Sequence, residues 1–251
     1  LTDGKSGGTD FTGSMILGHE TTGTLDAAQN NTAVGLTALD AVTTGDDNTA
    51  VGHDALTGAT TGSKNVAVGK GAMTAAVTGE GNMAVGYNAL NSLTSGGGNV
   101  AIGRQVLSKV EGGSKNVGIG RQAGIQIVNG DVGGTSLVSG SQNTYIGAET
   151  VPSSAAATNE TVIGQGATGG GNNTVVLGNG EVTTWQPTDN NEVDLGTSAK
   201  QMKDVYVDGV TYTDAIGFGT TAMTLPTADG SANQVLKTDG SGTLSWTANS
   251  G

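Results

Sequence analysis

The segment Asn48-Thr-Ala-Val-Gly52 decides the fold, because the same five-residue pattern returns at a fixed interval along the chain. The interval is 17 residues between positions 31 and 116, and the later intervals are 27, 17 and 14 residues. The nine copies begin at Asn31, Asn48, Asn65, Asn82, Asn99, Asn116, Asn143, Glu160 and Thr174. Such a repeat indicates one small structural unit that buries its apolar side by stacking on its neighbours.

Two further motifs keep the phase of this repeat. In the first five copies an apolar pair begins three residues after the glycine, as in Ala38-Leu39. In the first four a polar turn with glycine follows, as in Thr44-Gly45. Each copy therefore predicts a short strand, a glycine corner, a second short strand and a glycine-rich turn. A helix is disfavoured, because each interior glycine would cost it about 1 kcal/mol. The pattern predicts an all-β protein, a parallel β-solenoid of about nine coils with one coil per repeat.

The composition fits a thin stacked structure better than a globule. Of 251 residues, 45 are glycine and only 3% are aromatic, so the large rings that fill most protein cores are scarce. Hydrophobic residues make up 35% and charged residues 13%, which does not match the low hydrophobicity and high charge of disordered chains.

Charge and residue usage exclude several classes of function. The net charge of −12 disfavours binding to nucleic acid or to anionic membranes, since both need clustered lysine and arginine. The absence of cysteine excludes disulfides and thiolate metal sites. Because no apolar run approaches the length of a spanning helix, we expect no membrane insertion.

The repeats divide the chain into four predicted parts. The first holds the short apolar run Met15-Ile-Leu17, and the last holds the turn dipeptides Asp229-Gly230 and Asp239-Gly240, which favour hairpins. The parts are an N-terminal lead-in or docking segment (1–29), the solenoid repeats (30–180), a β-rich connector (181–215) and a C-terminal β-hairpin segment (216–251).

Alternation along each short strand predicts two apolar faces. The second and fourth positions, such as Thr49 and Val51, share one face, and we expect these residues to fill the coil interior. The third position is nearly always alanine, such as Ala50, and we expect it to face outward, where it permits close approach of another chain. Since strands that are apolar on both faces are buried on both sides, the pattern favours an oligomer. A wider single-chain solenoid with exposed alanine is the alternative.

The repeated asparagine is expected at a corner of the coil, where stacked side chains form a hydrogen-bonded ladder. This structural corner ladder comprises Asn31, Asn48, Asn65, Asn82, Asn99, Asn116 and Asn143. A sugar-binding or metal-binding array of asparagines is the functional alternative.

The repeat Asn-x-Ala-[Val/Ile]-Gly-x-x-Ala-Leu resembles that of phage and bacterial tail-fibre proteins. It is also similar to the head repeats of trimeric autotransporter adhesins, which are left-handed parallel β-rolls with a shorter coil. The resemblance covers residues 30–180 and implies an elongated homotrimer. The segments 194–209 and 229–246 resemble segments of phage fibre proteins. In that family the second segment often precedes a self-cleaving chaperone domain, so the resemblance implies a mature, trimmed fibre or a portion of a longer one.

A search for chemistry finds no converging site. Gly164-Gln-Gly-Ala-Thr-Gly169 matches a dinucleotide-binding pattern, but the glycines that follow cannot open a helix. His19 and His53 are isolated, and His53 occupies a variable position that we expect to face solvent. The acidic pair Asp46-Asp47 lies in a predicted turn, without a pocket. We therefore expect no catalytic, cofactor-binding or metal-binding residues and no enzyme activity.

One irregularity in the repeat suggests a binding loop. Ten extra residues separate the copies that begin at Asn116 and Asn143. A loop that leaves a regular scaffold often carries recognition, and a tolerated surface excursion is the alternative. The candidate receptor-loop residues are Val128, Asn129, Asp131, Thr135 and Ser136.

Together these features predict a structural component of a trimeric viral tail fibre, extracellular on the virion, which serves host attachment as shaft or receptor-binding segment. The expected partners are two further copies of the chain, other fibre or tail proteins, and a host cell-surface receptor, with a glycan as one option. A bacterial surface adhesin is the alternative. An ice-binding solenoid is a weaker one, suggested by threonines in phase, and a polysaccharide depolymerase is the enzymatic rival.

Overall fold

The computed structural model describes residues 4–6, 14–17, 28–128, 131–132, 134–184, 199, 215–218, 221–228 and 230–249. The described residues form strands and turns and contain no helix. The chain divides into two compact units, Leu1–Trp185 and Gln186–Gly251.

The first unit is built on one sheet of eleven short strands. Its strands are β1 (Gly4–Ser6), β2 (Met15–Leu17), β3 (Thr32–Val34), β4 (Thr49–Val51), β5 (Val66–Val68), β6 (Met83–Val85), β7 (Val100–Ile102), β8 (Val117–Ile119), β11 (Thr144–Ile146), β12 (Thr161–Ile163) and β13 (Val175–Leu177). The hairpin strands β9 (Ile127–Val128) and β10 (Asp131–Val132) stand apart from this sheet.

The repeat sets the register of this sheet. Each repeat strand pairs in parallel with the next, and equivalent positions face one another, as Ala50 faces Ala67. The nine repeat strands therefore enclose about eight complete turns of a parallel β-solenoid, which confirms the predicted all-β repeat fold. Strand β2 extends the sheet by one more parallel strand before the first repeat, and β1 closes that end in antiparallel pairing.

The second side of each coil differs from the prediction of a second short strand. It is a chain of turns, in which residues such as Leu56 and Met73 adopt left-handed backbone angles with φ of 54° and 51°. A backbone hydrogen bond to the next coil supports this conformation, since the Leu56 N–H donates to the Ala72 carbonyl at 2.9 Å. Left-handed angles cost a non-glycine residue about 1–2 kcal/mol, so stacking on the next coil stabilises a conformation that a lone coil would not adopt.

The two faces of the repeat strands are the reverse of the prediction. The third-position alanines, such as Ala50, are fully buried, and the branched residues on either side of them face outward. The interior is already filled from the second side, where the buried row comprises Leu39, Leu56, Met73, Leu90 and Leu107. A coil of this size leaves room for only a small side chain opposite each of these large ones, which is why the inward position holds alanine.

The glycine corners allow the coils to stack closely. Gly52 has φ of +130°, and a Cβ atom there would lie 2.7 Å from the carbonyl carbon of Gly69 in the next coil. Any other residue would be strained by this angle and would also collide with the neighbouring backbone.

The second unit contains two antiparallel hairpins. One pairs β14 (Ala215–Phe218) with β15 (Thr221–Thr224), and the other pairs β16 (Gln234–Thr238) with β17 (Leu244–Ala248). In the turn of the second hairpin, an Asp239 carboxylate oxygen accepts from the Ser241 N–H at 2.8 Å. Hydrogen bonding to Ser241 lowers the pKa of Asp239 to about 2. Trp185 and most of the predicted connector lie outside the described residues.

Candidate interaction surface

The repeated asparagines lie inside the solenoid and are almost completely buried. They share the inward face of the strand with the alanines, because positions one and three point the same way. The Oδ1 atom of Asn48 accepts from the backbone N–H of Asn65 at 2.9 Å, which joins one coil to the next. Its Nδ2 atom donates to the Gly62 carbonyl at 2.9 Å, which closes its own coil.

The same pair of contacts recurs along the solenoid. It is made by Asn31, Asn48, Asn65, Asn82, Asn99, Asn116 and Asn143. At the N-terminal end, the Ser14 hydroxyl oxygen takes the place of Oδ1 and accepts from the Asn31 N–H at 2.7 Å. These contacts satisfy polar backbone groups inside the coils, and the burial of the side chains leaves no exposed amide array for a sugar or a metal.

The ladder ends at a buried carboxylate, Glu160, which stands in the asparagine position. Its N–H still donates to Asn143 Oδ1 at 2.9 Å. Its two carboxylate oxygens accept from the Gly171 N–H at 3.0 Å, the Ser153 N–H at 3.2 Å and the Tyr145 hydroxyl at 2.9 Å. The glutamate suits this site because the Gly171 and Ser153 N–H groups are donors there, whereas each ladder asparagine faces a carbonyl, as Asn48 faces that of Gly62.

Tyr145 is the one large aromatic residue among the fully buried side chains of the described solenoid, and it occupies an alanine position. Burial, followed by the charge of Glu160 and the hydrogen bond to it, raises the pKa of the Tyr145 hydroxyl well above its ordinary value. Sequence reasoning missed this pair. The available signal was the simultaneous departure from the repeat at two positions one coil apart.

The outward side of the parallel sheet is a largely apolar surface with some threonines, which we call the outward face. Its fourth-position row comprises Val34, Val51, Val68, Val85, Ile102, Ile119, Ile146, Ile163 and Leu177. Its second-position row comprises Thr32, Thr49, Val66, Met83, Val100, Val117, Thr144, Thr161 and Val175. Ile102, for example, is 39% exposed, and neither row contains a charged residue.

The ten-residue insertion leaves the solenoid as the small antiparallel hairpin β9–β10. Its base is held by Gln126, whose side-chain oxygen accepts from the Thr135 N–H and whose N–H donates to the Ser136 hydroxyl at 3.4 Å. Ser136 is buried, so it stabilises the base of the hairpin and offers no contact surface. Val128 and Asp131 lie in the two strands, and Asn129 lies outside the described residues. Receptor binding by this loop stays a prediction.

Among the remaining residues from the sequence search, His19 lies outside the described residues, and the described ones do not converge on one site. His53 is exposed and pairs only with the adjacent Asp54, at 2.6 Å. The glycines between 164 and 169 form turns between β12 and β13, with no helix after them. Within the part of the chain that the structure describes, no group of three or more potential metal ligands occurs, and no helix is long and apolar enough to span a membrane.

Comparison with known proteins returns no family model, no curated protein and no solved structure that matches this chain.

Proposed function

We propose that this chain is a structural, non-catalytic fibre protein that associates with copies of itself through the outward face. The main observation that supports this proposal is the outward face. It extends over nine stacked strands, is largely apolar and uncharged, and has no covering element among the described residues. Continuous apolar surfaces of this kind mark interfaces in soluble proteins.

The outward face replaces the alanine stripe as the reason to expect an oligomer. Its branched side chains have strong β propensity and present a regular surface with a repeat of about 4.8 Å, the spacing of adjacent strands. A second copy offers a surface with the same periodicity, so a row of one chain can pack along a row of another. The number of copies, three, rests on the resemblance to trimeric β-rolls.

The proposed setting is a viral tail fibre that serves host attachment. A stacked solenoid with buried backbone hydrogen bonds is a stiff rod, which suits a part that holds a recognition site away from a particle. The tail-fibre resemblance of the repeats and of the C-terminal segments supports this setting. Immunogold electron microscopy with antibodies against residues 30–180 should label the tails of virus particles. Labelling of bacterial envelopes alone would contradict the viral role.

Self-association is tested by light scattering on the purified chain. We expect a molar mass near three times the chain mass of 24.5 kDa. The double variant Ile102→Lys/Ile119→Lys should be monomeric with an unchanged circular dichroism spectrum, because both side chains are exposed in the isolated chain. The control Leu36→Lys/Gln165→Lys adds the same charge in a row that already contains Lys70, and it should stay assembled. A monomeric wild type, or an assembled Ile102→Lys/Ile119→Lys variant, would contradict the proposal.

A further inference from the structure

The residue after each glycine corner forms a separate exposed row, which we call the corner column. It comprises Leu36, His53, Lys70, Tyr87, Arg104, Arg121, Ala148 and Gln165. Backbone hydrogen bonds set its register, since the carbonyl of Lys70 accepts from the Asn88 N–H at 3.0 Å and that of Tyr87 accepts from the Gln105 N–H at 2.8 Å. These side chains therefore stack coil by coil along one edge of the solenoid.

The centre of the corner column is cationic in an otherwise acidic protein. The chain has only ten lysines and arginines and a net charge of −12, yet Lys70, Arg104 and Arg121 share this one row. Lys70 and Arg104 are exposed and make no ion pair within the described residues, whereas Arg121 is paired with Glu149 on the next coil. Two cations without an ion pair in the described part of the chain, one on either side of an aromatic ring, are thus exposed to solvent.

Tyr87 lies between these two cations and is 46% exposed. An exposed ring with a polar tip offers an apolar face for a flat partner and a hydroxyl for hydrogen bonding. The residues that follow the column members add amides, with Asn88, Gln105 and Gln122 in consecutive coils. The buried Gln122 amide donates to Gln105 Oε1 at 3.2 Å and so orders the half-buried Gln105 side chain beside the column.

This combination narrows the chemistry of a ligand. Lys70, Tyr87 and Arg104 occupy three consecutive coils, which are about 4.8 Å apart. A matching ligand is linear and carries an anion at regular intervals. It also has flat apolar faces for the ring and hydroxyl groups for the amides. A polysaccharide of uronic acids has all of these features, whereas an acidic polypeptide lacks the hydroxyl-bearing ring faces.

We propose that the corner column, centred on Lys70, Tyr87 and Arg104, binds an extended acidic polysaccharide. The two cations pair with carboxylates through charge-assisted hydrogen bonds. The tyrosine ring packs on a sugar ring, and the half-buried amides of Asn88 and Gln105 bind hydroxyl groups. The inference deepens the proposed attachment role and rests on it for its biological meaning, but the binding site lies within a single chain.

The test is calorimetric titration with oligogalacturonate of defined length, a uronic-acid chain, at low salt. The variants borrow residues that the protein already carries in the same row. Lys70→Gln/Arg104→Gln introduces glutamine, which the column already carries at Gln165. Tyr87→Leu introduces leucine, which it carries at Leu36. The control Lys64→Gln/Lys115→Gln removes the same charge from another exposed row, where Gln142 is the natural example.

We expect the wild type and the control to bind equally. The two column variants should bind about tenfold more weakly or worse, as loss of a charge-assisted contact implies. Absence of binding by the wild type, or equal loss in the control, would overturn the inference. Poly-glutamate that binds as tightly as oligogalacturonate would overturn it too, because the column would then recognise charge alone.

Light scattering on the same samples separates this inference from the proposed assembly. An assembled wild type that does not bind oligogalacturonate contradicts only the glycan site. A monomeric wild type that binds it contradicts only the assembly.

Discussion

At the scale of single residues, the inward asparagine accepts one hydrogen bond and donates another, a combination that few side chains of its size can make. Its oxygen accepts from the next coil, and its nitrogen donates to a carbonyl of its own coil. Aspartate keeps the shape of asparagine but has no donor, so it would place a charged oxygen against the same carbonyl. Serine can replace the acceptor, as Ser14 does, but not both groups.

We therefore predict that Asn82→Asp lowers the free energy of unfolding by about 3–5 kcal/mol, because it buries a charge whose second oxygen faces the Gly96 carbonyl instead of a donor. The measurement is urea unfolding followed by circular dichroism. Asn88→Asp makes the same chemical change at an outer corner where Asp54 is the natural example, and we expect it to change the stability little. Equal destabilisation by the two variants would show that the ladder has no special role.

The buried pair of Tyr145 and Glu160 predicts a dependence of stability on alkaline pH. The folded state holds the phenol proton more tightly than the unfolded state, where the phenol ionises near pH 10. The stabilisation from this proton is complete below about pH 10 and is lost as the pH rises further, since the unfolded state then binds fewer protons.

Tyr145→Phe should flatten this alkaline loss of stability. It should also lower the stability at neutral pH by about 1–3 kcal/mol, because a buried carboxylate oxygen loses a donor. Unfolding curves from pH 7 to pH 11 measure both effects. An unchanged alkaline slope in Tyr145→Phe would contradict the assignment.

At the scale of one coil, the combined volume of the facing side chains on the strand and on the second side stays nearly constant. Position 118 holds glycine where the five preceding repeats hold alanine, and Val106 on the second side replaces the usual alanine. A Cβ atom at Gly118 would lie 2.5 Å from Cγ1 of Val106 and 2.8 Å from Cγ of Leu107. The larger residue on the second side thus requires the smaller one on the strand.

This compensation predicts a strong coupling. Gly118→Ala alone should overpack the coil, and Val106→Ala alone should leave a cavity, each at a cost of about 1–3 kcal/mol. The double variant restores the alanine pair of the other coils and should be more stable than either single variant. A double-mutant cycle by urea unfolding measures the coupling. Additive losses would mean that the two residues do not share one packing space.

Much of this coil could be predicted from the sequence, and its orientation could not. The 17-residue period predicts parallel strands in exact phase, because equivalent positions stack when the unit repeats. Alternation shows that Ala50 and Val51 lie on opposite faces, but it does not show which face is inside. The overlooked signal was that Asn48 lies two residues before Ala50 and therefore on the same face of the strand. The side-chain hydrogen bonds of Asn48 can form only inside the coil, so Ala50 must face inward too. The leucines on the second side adopt left-handed backbone angles only because they stack on the next coil, so their own conformational preferences do not predict these angles.

At the scale of the whole molecule, the reversal of the faces changes what a second copy would contact. An outward alanine stripe would allow close backbone approach, whereas the observed outward face presents branched side chains that bury more apolar area on contact. The stacked solenoid of about eight turns, its outward face and its polar corners are then separate features. The first sets the length of the solenoid, and in our proposal the second mediates assembly and the third binds a ligand.

The most direct test of this account is the reactivity of single cysteines, since the chain contains none of its own. I102C places a thiol on the outward face, and K109C places one at an exposed position on the second side of the same coil. In an isolated chain both thiols would react readily with maleimide. At concentrations where the protein is assembled, we expect I102C to react slower than K109C by about tenfold or more, because exposure limits thiol reactivity. Equal rates for the two thiols would contradict the claim that the outward face is an interface.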